Sequence, residues 1–163
     1  MKNLIDQFKM WQKFALIGVF VLILFGIPFF VLLSMINGNI ETIRQEQEGG
    51  ILIPEVVKVI QKTQVHQAIN RQLMEGKTEL ASARNSAAKE LSELFNALEN
   101  QVKQHPGLKL DQHVAELKQS WKKLDEARDK LNPVEARNQH RELIEGLFTL
   151  MANVTDNSGL TLS

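Results

Sequence analysis

The sequence predicts an all-α protein: a single transmembrane helix followed by an antiparallel helical bundle of up to four helices. Three observations carry this. Phe14 to Ile36 is an unbroken apolar run without a charged residue. The chain beyond it is polar, charged and patterned at the three-four spacing of amphipathic helices. Short joints rich in Gly, Pro and Asn separate the patterned stretches. The predicted layout is a cytoplasmic segment over 1–13, a membrane helix over 14–36 and an extracytoplasmic helical domain over 37–163.

The apolar run comes first. A helix rising about 1.5 Å per residue covers roughly 34 Å over it, enough for a hydrocarbon core of about 30 Å. Lys2, Lys9 and Lys13 precede it against a single acid, Asp6. Glu41, Arg44, Glu46 and Glu48 follow. The basic excess on the N-terminal side places the N-terminus in the cytoplasm and the main domain outside. Trp11 stands where an interfacial anchor belongs. A cleaved signal peptide would need a shorter apolar region and a small-residue cleavage pattern. Ser34-Met35-Ile36-Asn37 fits that pattern poorly, so the run reads as an uncleaved anchor.

Beyond the span the first helix continues through Ile40 and Ile43. Gly49-Gly50 and Pro54 predict a break or strong kink near 49–53, because proline is uncomfortable inside a helix and favoured in a first turn. A helix restarts at Pro54 and runs to about Met74 on Val56, Val57, Ile60, Ile69 and Leu73, with Gly76 as its C-terminal cap. The next runs from about Thr78 to Gln104 on Leu80, Ala87, Leu91, Leu94, Leu98 and Gln101 or Val102, and His105-Pro106-Gly107 ends it. A third spans Asp111 to Leu131. Its seam is Val114, Leu117, Trp121, Leu124, Arg128 and Leu131, with Trp121 a core anchor and the Arg128 stem snorkelling. Asn132-Pro133 breaks the chain. The fourth starts near Val134, uses Ile144, Leu147 or Phe148, Met151 and Val154, and frays around Asp156 to Gly159. Four amphipathic segments with short joints predict the antiparallel bundle.

Formal net charge is zero, so nothing points to nucleic acid as a partner. There is no cysteine, which excludes disulfides and thiolate metal sites. His66, His105, His113 and His140 contain no pair at metal spacing and no His-Glu-x-x-His. No nucleophilic triad, phosphate loop or paired-carboxylate signature is present. The chain is therefore read as a non-enzyme without cofactor, metal or catalytic residues. The candidate ligand-binding residues are Gln64, His66, His140 and Asp156. His66 sits in Gln64-Val65-His66 on the first external helix and His140 on the last. Antiparallel packing would bring the two together, with room for a small polar ligand between the helices. Asp156, with Ser158, is a polar group at the end of the last helix.

These residues resemble a family. Glu46 with Gly49, Gln64 with His66, Leu73 with Gly76, Trp121 with Leu124, His140 with Leu143-Ile144, and Asp156 with Ser158 through Leu162 follow one another as in the N-terminal sensor region of bacterial methyl-accepting chemotaxis proteins. The resemblance covers nearly the whole chain. Gln67-Ala68 stands where that family typically has Arg-Gly. What the resemblance implies is a periplasmic sensor domain in the bacterial inner membrane that senses a small molecule or a binding protein and passes a helix shift inward. It also implies a second span and a cytoplasmic signalling module beyond Ser163. On this reading the sequence is a receptor fragment or a truncated gene, and the apolar face around Met151 to Leu162 would be under-covered. Homodimerisation is expected, because such seams rarely bury themselves in one copy. The alternative is a single-span structural or scaffold protein of the cell envelope whose external helices bind a partner protein.

Overall fold

The computed structural model describes residues 9–160, without the side chains of residues 37–39, 41 and 42. Lys2 and Asp6, the side chains of Asn37 and Glu41, and Thr161, Leu162 and Ser163 thus lie outside the described residues. Four α-helices occur: α1 (Met10–Met74), α2 (Ala81–Gln104), α3 (Asp111–Ala127) and α4 (Pro133–Ser158). Single 3-10 turns, Thr78–Leu80 and Pro106–Leu108, precede α2 and α3. Among the described residues there is no strand.

The chain divides into two compact units, Met1–Ile43 and Arg44–Ser163. In the first unit, Met10–Ile36 is 27 residues of helix, long and apolar enough to cross a membrane, and none of it is buried. The division falls at Ile43, later than the Ile36 boundary read from the apolar run.

The second unit is an antiparallel four-helix bundle. Cross-helix partners fix the directions. Between α1 and α2, Glu48 faces His105 at 3.7 Å and Lys62 pairs with Glu90 at 2.6 Å. Between α2 and α3, Arg84 meets Asp129 at 2.8 Å, Trp121 donates to Ser92 at 2.9 Å, and Lys118 reaches Glu99 at 2.5 Å. Between α3 and α4, the Asn153 amide donates to His113 at 3.2 Å and Gly146 abuts Leu117. Between α1 and α4, Gly49 abuts Ser158 and His66 meets His140. In every pair one number climbs while the other falls. Glu99, held between Lys103 and Lys118, has its carboxyl drawn down to about 2 by their hydrogen bonds.

The helices contribute evenly to one core: Leu52, Val56, Val59 and Ile60 from α1; Leu91, Phe95, Leu98 and Val102 from α2; Val114, Leu117, Trp121 and Leu124 from α3; Leu143, Leu147, Leu150 and Val154 from α4. The seams therefore bury themselves within one chain, which removes the argument drawn from them for a second copy. The face expected to be under-covered is closed as well. Leu150 and Val154 are fully buried and Met151 packs against the core.

The helix is not broken at 49–53: α1 continues through Gly49, Gly50 and Pro54. Packing decides it. An interior proline costs about 3 kcal/mol and a glycine about 1 relative to alanine. Burial of Leu52, Val56, Val59 and Ile60 contributes about 1.5–3 kcal/mol apiece. Gly49 has a different purpose: a Cβ there would fall 2.4 Å from Ser158 Cβ. Only a residue without a side chain admits α4 this closely.

The ends behave largely as their residues dictate. Gly76 closes α1 at φ +100°, and its N–H donates to the Leu73 carbonyl. α3 stops at Ala127, short of the expected Leu131. Arg128 falls just past the helix end, and its guanidinium pairs with Asp125 at 2.6 Å. α4 opens on a capping box that the sequence reading did not identify. The Asn132 side chain accepts from the Val134 and Glu135 N–H groups, and the Glu135 carboxylate accepts from the Asn132 N–H. On α4, Leu147 is buried whereas Phe148 is exposed.

Candidate functional site

Above the apolar core the α1 stripe changes character. Thr63, His66 and Asn70 continue the spacing of Val56 and Val59, and all three are buried. Thr63 satisfies its hydroxyl locally by donating to the Val59 carbonyl at 2.8 Å. His66 and His140 are 0% and 2% exposed, and His66 Nδ1 lies 2.9 Å from His140 Nε2. Their rings lie edge to edge across this bond, centroids 5.2 Å apart and planes 24° apart, and His66 makes an edge contact with Trp121 at 5.0 Å. The Trp121 indole N–H donates to Ser92, whose hydroxyl donates to the Ala88 carbonyl. One buried polar layer thus joins α1, α4, α3 and α2.

Its proton arrangement follows from the partners. The Ala136 carbonyl, 2.7 Å from His140 Nδ1, can only accept, so Nδ1 carries the proton. His140 Nε2 is then a bare lone pair, and His66 Nδ1–H donates to it. His66 Nε2 is left as a buried acceptor with no partner. Both rings are neutral. Burial pushes the His66 value down to about 3, with His140, Arg84 and Arg128 adding repulsion. Burial also lowers His140, opposed by its bond to Ala136. Arg84 lies at the edge of this layer. It binds Asp129 at 2.8 Å and reaches the Asn70 side-chain oxygen Oδ1 at 3.5 Å, while its Nε is buried without a partner.

Beside the layer, α1 and the first turns of α4 border a cavity of about 360 Å³ that is open to solvent on one side, within the size range of small-molecule sites. Gln64, Asn70, Arg71 and Met74 line it from α1, and Val134, Arg137 and His140 from α4. Of the residues singled out in the sequence, Gln64 and His140 meet in this cavity, and His66 stands behind His140. Asp156 does not join them. It is exposed at the far end of α4, where its carbonyl accepts from the Gly159 N–H. Along a helix that separation is about 24 Å. The other histidines are engaged elsewhere, His105 with Glu48 and His113 with Asn153. No cluster of three or more His, Cys, Asp or Glu side chains that could hold a metal occurs among the described residues.

Sequence reasoning missed Asn70, Arg84 and Arg137. Asn70 had a usable signal, since it continues the Val56, Val59, Thr63, His66 spacing. Arg84 and Arg137 are marked by no pattern in the chain. Compared with known proteins, the chain matches no family model, no curated protein and no solved structure.

Proposed function

We propose that this chain is the membrane-anchored input region of a bacterial signal-transducing receptor of the chemotaxis type. The cavity between α1 and α4 is its ligand site. The apolar segment of α1 is its membrane anchor in the inner membrane, with the N-terminus in the cytoplasm and the bundle in the periplasm. The cavity is the observation that carries the reading: it has a ligand's size, and one wall belongs to α1, the helix that also contains the apolar segment. A ligand that binds one setting of α1 against α4 better than another biases a two-state output by that difference in affinity.

Two measurements test this. The chain has no cysteine, so single cysteines label cleanly. In intact cells a membrane-impermeant maleimide should modify Lys77→Cys and leave Lys9→Cys untouched; the opposite pattern removes the topology. Thermal unfolding of the full chain in lipid nanodiscs is then screened against amino acids, organic acids, amines, sugars and short peptides. A ligand at one hundred times its Kd adds about 2.7 kcal/mol of stability, and Ala68→Trp, at the cavity lining, should abolish the gain. No stabilising compound in any class counts against a receptor.

A further inference from the structure

The chemistry of the cavity narrows what it can hold. Its charged lining groups are Arg71, Glu75 and Arg137. Arg71 and Glu75 face one another at 3.7 Å, so they offset each other. Arg137 makes no ion pair or hydrogen bond among the described residues. His140 adds no charge, because both of its nitrogens are engaged and its ring is neutral. One uncompensated cation remains, and it is a guanidinium, whose planar fork suits a carboxylate.

The second observation is Asn70. It is 3% exposed and lines the same cavity. Its amide nitrogen, which carries two hydrogens, touches only the Met74 sulfur at 4.0 Å. A buried donor so weakly met is uncommon and favours an oxygen acceptor. The rest of the wall, Ala68, Met74 and Val134, offers apolar surface to a ligand body.

We propose that the cavity between α1 and α4 takes a small monocarboxylate with an apolar body. The Arg137 guanidinium pairs with the carboxylate, the Asn70 amide donates to an oxygen, and Ala68, Met74 and Val134 hold the apolar part. An ammonium ligand finds no free acid, since Glu75 is already paired. A phosphate monoester brings two negative charges to one free cation. The proposal deepens the receptor reading and rests on it for biological meaning, while its chemistry can be tested separately.

The test is titration calorimetry on the full chain in nanodiscs. The probes are 3-phenylpropanoate and 4-methylpentanoate, their primary amides, and 3-phenylpropylamine. The carboxylates should bind, and the amides and the amine should bind at least about tenfold more weakly. Arg137→Gln should cost the carboxylates about tenfold or more. Arg141→Gln, one turn along α4 and paired with Glu145, should change nothing. Equal binding of acid and amide, with Arg137→Gln silent, overturns the carboxylate assignment, and so does failure of both acids to bind. An amine that binds and is blocked by Ala68→Trp also overturns it and leaves the receptor reading standing. A spin label on Ile36→Cys separates the remaining case. Carboxylate binding without any change at that label upholds the ligand class and sinks the receptor.

Discussion

His66 and His140 share a single hydrogen bond of 2.9 Å whose polarity is dictated by a third group, the Ala136 carbonyl. Adding a proton to either ring has the same result. If His66 takes it, Nε2 becomes an N–H. If His140 takes it, His66 must turn Nδ1 into the acceptor and carry its hydrogen on Nε2. Either way a buried N–H appears where no acceptor stands. The cationic neighbours from the other elements are Arg84 of α2 and Arg128 beyond α3, held in turn by Asp129 and Asp125.

This pair makes the bundle acid-labile. In the unfolded chain both histidines take protons near pH 6.5, whereas in the fold burial holds His66 near 3 and also lowers His140. The unfolded state therefore binds more protons, and stability present above pH 6.5 is lost as pH falls toward 3. His66 alone accounts for about 3 kcal/mol at pH 4. Circular-dichroism melts of the full chain between pH 8 and 4 should show Tm falling below about 6.5. A Tm independent of pH across that range would mean that the two rings are not buried and neutral.

The adjacent glycines of α1 should respond oppositely to alanine. Gly49→Ala forces a Cβ against Ser158 and should cost about 1–3 kcal/mol. Gly50 is exposed with nothing within 4 Å of a built Cβ. Gly50→Ala should gain up to about 1 kcal/mol from helix propensity. Thermal melts of the two variants decide, and equal effects would contradict the close approach of α1 and α4.

Ser92→Ala should destabilise by about 1–3 kcal/mol, because it strands the Trp121 indole N–H in the interior. Ser92→Thr keeps the hydroxyl and should recover part of the loss. Urea unfolding of both variants at pH 7.5 provides the comparison.

Asn132→Ala removes the acceptor for two N–H groups at the start of α4 and should cost about 1 kcal/mol. Asn132→Asp preserves the cap and should stay near the parent. Hydrogen exchange should localise the loss to the first turn of α4.

Much of the fold was legible in the chain. The α3 seam at Val114, Leu117, Trp121 and Leu124 is buried as its spacing demands, because an uninterrupted three-four alternation admits one face only. Antiparallel order raised the approach of His66 to His140, but their direct hydrogen bond, with no room for a ligand between the two rings, needed the register of the helices. Other features were hidden for physical reasons. Gly49, Gly50 and Pro54 carry intrinsic penalties that read as a break, but tertiary burial outweighs them. The α2 seam was read through Leu94, but Phe95, one residue on, is the one fully buried and Leu94 is only partly so. Thr63 and Asn70 went unremarked because the α1 stripe was read from apolar residues alone. The cavity needs α1 and α4 in register, and neither helix reveals it alone.

The edge contact between Trp121 and His66 has an optical consequence. An imidazolium quenches a neighbouring indole far more than a neutral imidazole does. The protein has two tryptophans and no tyrosine, and the other tryptophan, Trp11, stands exposed at the start of α1. With Trp11→Phe, emission arises from Trp121 alone. The molecule then fluoresces according to the protonation of its own interior, without an added dye.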